Sequence, residues 1–173
     1  PAQFSLARPL FAGLKYFVIP QAVLAGHNPG RIFVDDPARP TVAFLWTPCG
    51  YYFLAGDSHS EIFQQELHTL LLETLIPPLR ERGENGFILI PSDPAWVAGW
   101  GVILKDRQPI EIYRRIFTFD VARFAASRGE LRLLPDGYTL QRLDVALIAQ
   151  HPNLVGEINT TWGSVDAFAA HGR

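Results

Sequence analysis

The apolar positions of this chain change period several times, and each change marks an element. Leu10, Phe11, Leu14, Phe17, Val18 and Val23 recur at mostly helical spacing, which predicts one or two helices over residues 10–24 with Pro20 as a kink or break. His27-Asn28-Pro29-Gly30 is a stop. Arg31 to Asp35 then reads as a short strand, Asp36-Pro37-Ala38-Arg39-Pro40 as a turn, and the nearly all-apolar Thr41 to Thr47 as a buried strand. Pro48-Cys49-Gly50 suits a type I turn, with proline at the first central position and glycine closing it, and Tyr51 to Ala55 returns as a third strand.

A long amphipathic helix follows at once. Ser58 and Glu61 have capping-box spacing, and the pattern places Phe63, Leu67, Leu70, Leu71 and Leu75 on one face with Gln64, Gln65, His68 and Glu73 opposite. Pro77-Pro78 is expected to distort this helix before Gly83 ends it. Phe87 to Ile90 reads as a covered central strand. Asp93 caps a helix with Pro94 in its first turn and Trp96, Val97, Trp100 and Val102 or Ile103 as its packed face. Ile110 to Phe119 alternates well enough for a long strand, with Ile110, Ile112 and Ile116 against Glu111 and Arg115. Asp120 caps a helix through Ala126, Tyr138 to Leu143 reads as a strand, and Asp144 opens a short helix. Asn153 to Glu157 and Ser164 to Ala170 are further helical pieces. The order predicts an α/β (α+β) fold with a mixed, mostly antiparallel central sheet flanked by helices.

Composition narrows the class. The chain has 173 residues, 48% of them apolar, and four tryptophans, enough for a compact core. A formal charge of −2 without a basic cluster excludes nucleic acid and anionic membranes as expected partners. One cysteine, Cys49, rules out an internal disulfide and fits the reducing cytoplasm. The apolar stretch from Leu10 to Gly26 is interrupted by Lys15, Pro20 and Gln21 with no basic region before it, so neither a signal sequence nor a membrane span is expected. The chain begins at Pro1 and contains no methionine, so its natural start is expected to lie outside it.

Candidate chemistry is sparse. His27, His59, His68, His151 and His171 are scattered, without a pair at ligand spacing or a second cysteine, so no metal site is expected. No Gly-x-Ser-x-Gly elbow is present, and Cys49 in a Pro-Cys-Gly turn has no evident activating cation, which favours a structural role. Asp35 and Asp36 are neighbours on a strand and point to opposite faces, so one is expected to hold the turn before Pro37 rather than form a catalytic pair. Tyr51 and Tyr52, with Trp46 across the hairpin, either line a cleft or pack as cross-strand aromatics.

Five motifs carry a family resemblance: Pro29-Gly30-Arg31-Ile32-Phe33-Val34-Asp35-Asp36, Trp46-Thr47-Pro48-Cys49-Gly50-Tyr51-Tyr52, Ala55-Gly56-Asp57, Arg115-Ile116-Phe117-Thr118-Phe119 and Trp162-Gly163-Ser164. With the element order, they make nearly the whole chain resemble the GNAT acetyl-CoA-dependent N-acetyltransferases, and in detail the subgroup similar to zwittermicin A resistance acetyltransferases. The resemblance implies a GNAT-like sheet, acetyl-CoA as the cofactor of the intact protein, and direct acetyl transfer to a small-molecule amine. Such transfer needs a base or water chain at the amine and backbone donors at the thioester carbonyl.

Active GNAT domains cradle the cofactor's pyrophosphate in a basic, glycine-rich loop at a helix N-terminus. The corresponding loop here is Ala55-Gly56-Asp57-Ser58-His59-Ser60, with one glycine, no arginine, and an aspartate where the phosphates would sit. The expectation is that this unit binds no acetyl-CoA, and no catalytic or cofactor-binding residue is carried over. Trp46, Tyr51, Tyr52, Asp57 and His59 remain as candidate substrate-cleft residues.

The resemblance also implies a division of the chain. Residues 1–128 resemble a degenerate amino-terminal GNAT-like domain. Residues 129–173 resemble a linker with the opening strand and helices of a second GNAT domain, the strand carried by Pro135 to Asp144. One reading is therefore the amino-terminal, non-catalytic portion of an N-acetyltransferase. The alternative is a stand-alone GNAT-like pseudo-enzyme that binds a small ligand or a protein. On the alternative, the tail from Pro135 onward would pack on the first domain or swap with a second copy, since an entry strand alone leaves unpaired edges. On the first reading, the protein's own carboxy-terminal domain is the expected partner.

Overall fold

The structure is a computed structural model describing residues 4–84, 86–127 and 134–172. It opens with helix α1 (Phe4–Ala7), a 3-10 stretch (Arg8–Leu14) and α2 (Val18–Leu24), the chain turning at 15–17 rather than at Pro20, which fits in the first turn of α2. The Arg8 guanidinium donates to the Leu24 carbonyl at 2.8 Å and ties the two helical ends together.

Three strands follow: β1 (Arg31–Val34), β2 (Val42–Trp46) and β3 (Tyr51–Gly56), each antiparallel to the next. The β1–β2 turn is held by both aspartates. Asp36 Oδ1 accepts from the Ala38 N–H at 2.7 Å, while Asp35 accepts from the Thr41 N–H, the Thr41 hydroxyl and the Val42 N–H. In the β2–β3 turn the Gly50 N–H donates to Thr47 O, and the buried Thr47 hydroxyl donates to Tyr51 O at 2.6 Å. Strand β4 (Ile88–Pro91) adds to β3 in parallel, giving the order β1-β2-β3-β4 among the described residues. The sheet is thus mixed and mostly antiparallel, as expected.

Both sheet faces are covered, which explains why β2 and β3 read as continuous apolar runs. Val42, Phe44, Tyr52 and Leu54 face α3 (Glu61–Leu70) and the elements after it, packing on Phe63, Leu67, Leu71, Trp96 and Ile103. Ala43, Leu45, Phe53 and Ala55 face the other way, onto Phe11, Leu14, Val23 and Leu24. Each of these larger side chains contributes about 1.5–3 kcal/mol by leaving water.

The long helix departs from its expected form in three ways. Its cap is Ser60, without a side-chain bond, so Ser58 and Glu61 form no capping box; instead the Ser58 carbonyl accepts from Gln64 Nε2 at 2.7 Å. Gln64 and His68, expected on the solvent face, are buried. The helix packs on two sides, against the sheet and against α5 (Trp100–Ile103), so polar residues at i and i+4 are enclosed by the second contact. Finally, a π-turn (Leu71–Leu75) separates α3 from α4 (Ile76–Glu81), and the Ile76 N–H reaches back five residues to Leu71 O. Pro77 and Pro78 offer no N–H to Glu73 and Thr74, so the widened turn accommodates the lost ladder bonds.

Asp93 caps the 3-10 segment (Pro94–Gly99) leading into α5, its Oδ1 accepting from the Ala95 N–H at 2.7 Å. Trp96 and Ile103 are buried and Trp100 half-buried, while Val97 and Val102 face solvent. The strand expected from Ile110 to Phe119 is absent: these residues carry no regular secondary structure, are exposed and pair with no sheet. Tyr138 to Leu143 likewise forms no strand. Alternation specifies a strand only where a sheet edge receives it, and neither segment is seated on one here.

Helices α6 (Val121–Ser127), α7 (Val145–Ala149), α8 (Pro152–Trp162) and α9 (Val165–His171) complete the described chain. Asp120, Asp144 and Ser164 cap the first, second and last through bonds of 2.8–3.0 Å from backbone N–H groups. The helices α7–α9 pack together around Ile148 and Ile158 and rest on the loop after α2. There, Asn28 Nδ2 donates to Thr161 O at 2.8 Å and the His27 and His171 rings stack at 4.3 Å. No helix among the described residues is long and apolar enough to cross a membrane.

Candidate functional site

The five candidate residues fall into three places. Trp46 and Tyr52 belong to the face under α3: Tyr52 is fully buried and its hydroxyl accepts from Trp46 Nε1 at 3.1 Å. Phe44 meets Tyr52 edge-on at 5.6 Å and Phe87 stacks on it at 4.9 Å, so aromatic packing surrounds the ring. Burial raises the Tyr52 phenol above its ordinary value and outweighs the opposing Trp46 hydrogen bond.

Tyr51, one residue on, points to the opposite face and is half-buried, with the Arg114 guanidinium 5.9 Å from its ring centroid. It lines a shallow groove of about 300 Å³ with Cys49, Gly50, Glu84, Phe87 and Ile88. Glu84 there accepts from Arg82 Nε at 2.8 Å, and Cys49 Sγ lies 3.2 Å from the Thr47 hydroxyl.

Asp57 and His59 sit at the far end of β3, at the mouth of α3. The Gly56 backbone, at φ +88°, turns the chain, and the Asp57 N–H donates to Thr41 O at 2.9 Å. Asp57 Oδ1 accepts from the His59 N–H at 2.9 Å and lies 3.4 Å from His59 Nδ1, both side chains being exposed. A second groove of about 310 Å³ opens beside them, lined by Ser58, His59, Glu61, Gln64, Ala98 and Gly99. It therefore holds His59 from the candidate set but neither Tyr51 nor Trp46.

Sequence reasoning places Gln64 and His68 on the solvent face and does not single out Glu84. The available signal was a second helical stripe, Gln64, His68, Leu71 and Leu75, at i, i+4, i+7 and i+11. His68 Nδ1 lies 2.9 Å from Ile103 O, and Gln64 packs so closely on Gly99 that a Cβ there would displace it. Among the described residues, no group of three His, Cys, Asp or Glu side chains is placed to hold a metal ion.

The chain matches the GNAT acetyltransferase family over residues 8–173. It is 27% identical over 145 residues to the uncharacterized N-acetyltransferase YdfB of Bacillus subtilis (strain 168), a match covering 83% of this chain and 51% of that protein. Its fold is similar to the crystal structure of a GCN5-related N-acetyltransferase-like protein from Streptococcus suis 89/1591. The TM-score is 0.54 at 20% identity, over 96% of this chain and 61% of the other. The chain thus spans about half the length of the curated relative it matches.

Proposed function

We propose that this chain, which belongs to the GNAT acetyltransferase family, is the portion of an N-acetyltransferase that builds the scaffold and does not itself hold the acetyl donor. The family uses acetyl-CoA, whose pyrophosphate needs free backbone donors at a helix N-terminus. The observation that carries the reading is Asp57. Its carboxylate stands at the mouth of α3, bonded to the His59 N–H, with Glu61 in the helix's first turn. An arriving dianion would meet two carboxylates and no arginine in the loop.

The β3–β4 seam supports the same reading. Tyr51 to Leu54 pair with Ile88 to Pro91, and the seam is extended by Ile88 N–H to Gly50 O at 2.9 Å and Ser92 N–H to Leu54 O at 2.7 Å. A cofactor arm has no gap between these strands to enter. The residues present do not fit acetyl-CoA, and no step of the transfer is assigned to them. On this reading residues 1–128 are the degenerate GNAT-like unit and residues 129–173 open a second unit.

A thermal-shift titration of the chain with acetyl-CoA tests this. The expected result is no saturable stabilisation. A saturating rise would overturn the reading, since ligand at about 100 times its Kd stabilises by about 2.7 kcal/mol.

A further inference from the structure

We infer that residues 110–119 and 134–143 form a docking surface for a second, sheet-bearing half of the same polypeptide, an inference that rests on the scaffold reading above. Among the described residues, 18 large apolar side chains are exposed, and 12 of them lie between Ile110 and Val145. Scattered exposed apolar residues are ordinary, but this concentration is not. Ile110 is 89% exposed, Tyr113 88%, Phe117 83% and Leu140 88%.

The chemistry of the arm specifies what covers it. Ile110–Phe119 is rich in β-branched and aromatic residues and contains no proline or glycine, so it is competent to form a strand. In a strand, Ile112 and Ile116 would share one face and Tyr113, Phe117 and Phe119 the other. Apolar residues on both faces describe a central, doubly covered strand rather than an edge. The arm also lies beside the sheet's open end: β4 is the terminal strand, and Arg114 sits over Tyr51, the β3 residue paired with Ile88. Pairing with β4 alone would leave the arm's outer edge open.

A further folded unit supplies the missing edge and cover. The curated relative and the solved structure are both longer than the matched region, which accounts for 51% and 61% of their lengths. The occupant is therefore assigned to additional chain of that kind, contributing a strand edge and an apolar face, rather than to a second copy.

Hydrogen–deuterium exchange and sedimentation velocity test this on the 173-residue chain and on the longest polypeptide its gene encodes. The expected chain is monomeric, with amides of 110–119 and 134–143 exchanging near free-peptide rates, and slowed at least about a hundredfold in the longer polypeptide. Phe117→Asp should erase much of that slowing, while Val97→Asp, exposed elsewhere, should leave it intact. Four results would each overturn the inference: protection already present in the monomeric chain, no slowing in the longer polypeptide, no longer polypeptide, or a dimer of the chain that Phe117→Asp dissociates. Acetyl-CoA binding leaves this readout untouched, so a chain that binds the cofactor yet gains protection would sink the scaffold reading alone.

Discussion

The imidazole Nδ1 of His68 lies 2.9 Å from the carbonyl oxygen of Ile103, joining the last turn of α3 to the last residue of α5. A carbonyl only accepts, so the bond fixes the proton on Nδ1. It satisfies one of the carbonyls that a helix C-terminus leaves without a partner. His68→Leu keeps the bulk but strands that carbonyl in a buried site, and is expected to cost about 1–3 kcal/mol. His68→Gln, which restores an N–H donor, should recover part of the loss. Urea midpoints at constant slope decide it; equal midpoints for wild type and His68→Leu would show that the bond contributes nothing.

Tyr52 predicts an alkaline limit to stability. Burial raises its phenol above the ordinary 10.0, so the unfolded chain releases this proton at a lower pH than the folded one. Its contribution is fully present below about pH 10 and is lost as pH rises through the folded value. Tyr52→Phe has no proton to release and should show a shallower decline above pH 10. At neutral pH the same change removes the acceptor for Trp46 Nε1 and should cost about 0.5–1.5 kcal/mol. Parallel alkaline declines in the two proteins would rule out the assignment.

Asp35 sets the opposite limit. Partial burial pushes its carboxyl up, but the hydrogen bonds from the Thr41 hydroxyl and the Thr41, Val42 and Asp36 N–H groups outweigh it and hold it below 3.8. The depressed value means that its contribution is present above pH 3.8 and is lost as pH falls through the folded value. Asp35→Asn should therefore be less stable than wild type at neutral pH and show a shallower loss below pH 3.8. Denaturant titrations at several acidic pH values measure both slopes.

Local chemistry made much of this legible beforehand. The hairpin needed only the apolar runs flanking Pro48-Cys49-Gly50, and Asp93, Asp120, Asp144 and Ser164 each cap where an acceptor precedes a periodic run. What failed depended on distant neighbours. Gln64 and His68 look solvent-facing until α5 closes over them, and Ile110–Phe119 reads as a strand although no partner edge is joined to it. The candidate cleft shows both sides of this. Trp46 and Tyr52 are adjacent because cross-strand geometry is local, whereas the distance between that pair and Asp57–His59 follows from the length of β3.

Gly56 is the residue on which the geometry at the mouth of α3 depends. Its φ of +88° is one that L-residues rarely adopt, and an added Cβ would be driven into the Thr41 carbonyl and the Val42 backbone. That same Thr41 carbonyl accepts the Asp57 N–H, so the clash would break the bond that places Asp57. Gly83 has a similar φ of +76° but open space around its missing Cβ, which separates dihedral strain from collision. Gly83→Ala is expected to cost about 1 kcal/mol, the penalty of the left-handed backbone alone. Gly56→Ala should cost about 3 kcal/mol or more, because the backbone of β2 must move as well. Equal losses in the two variants would mean that the strand end yields freely, and that Asp57 is not held at the α3 mouth by this turn.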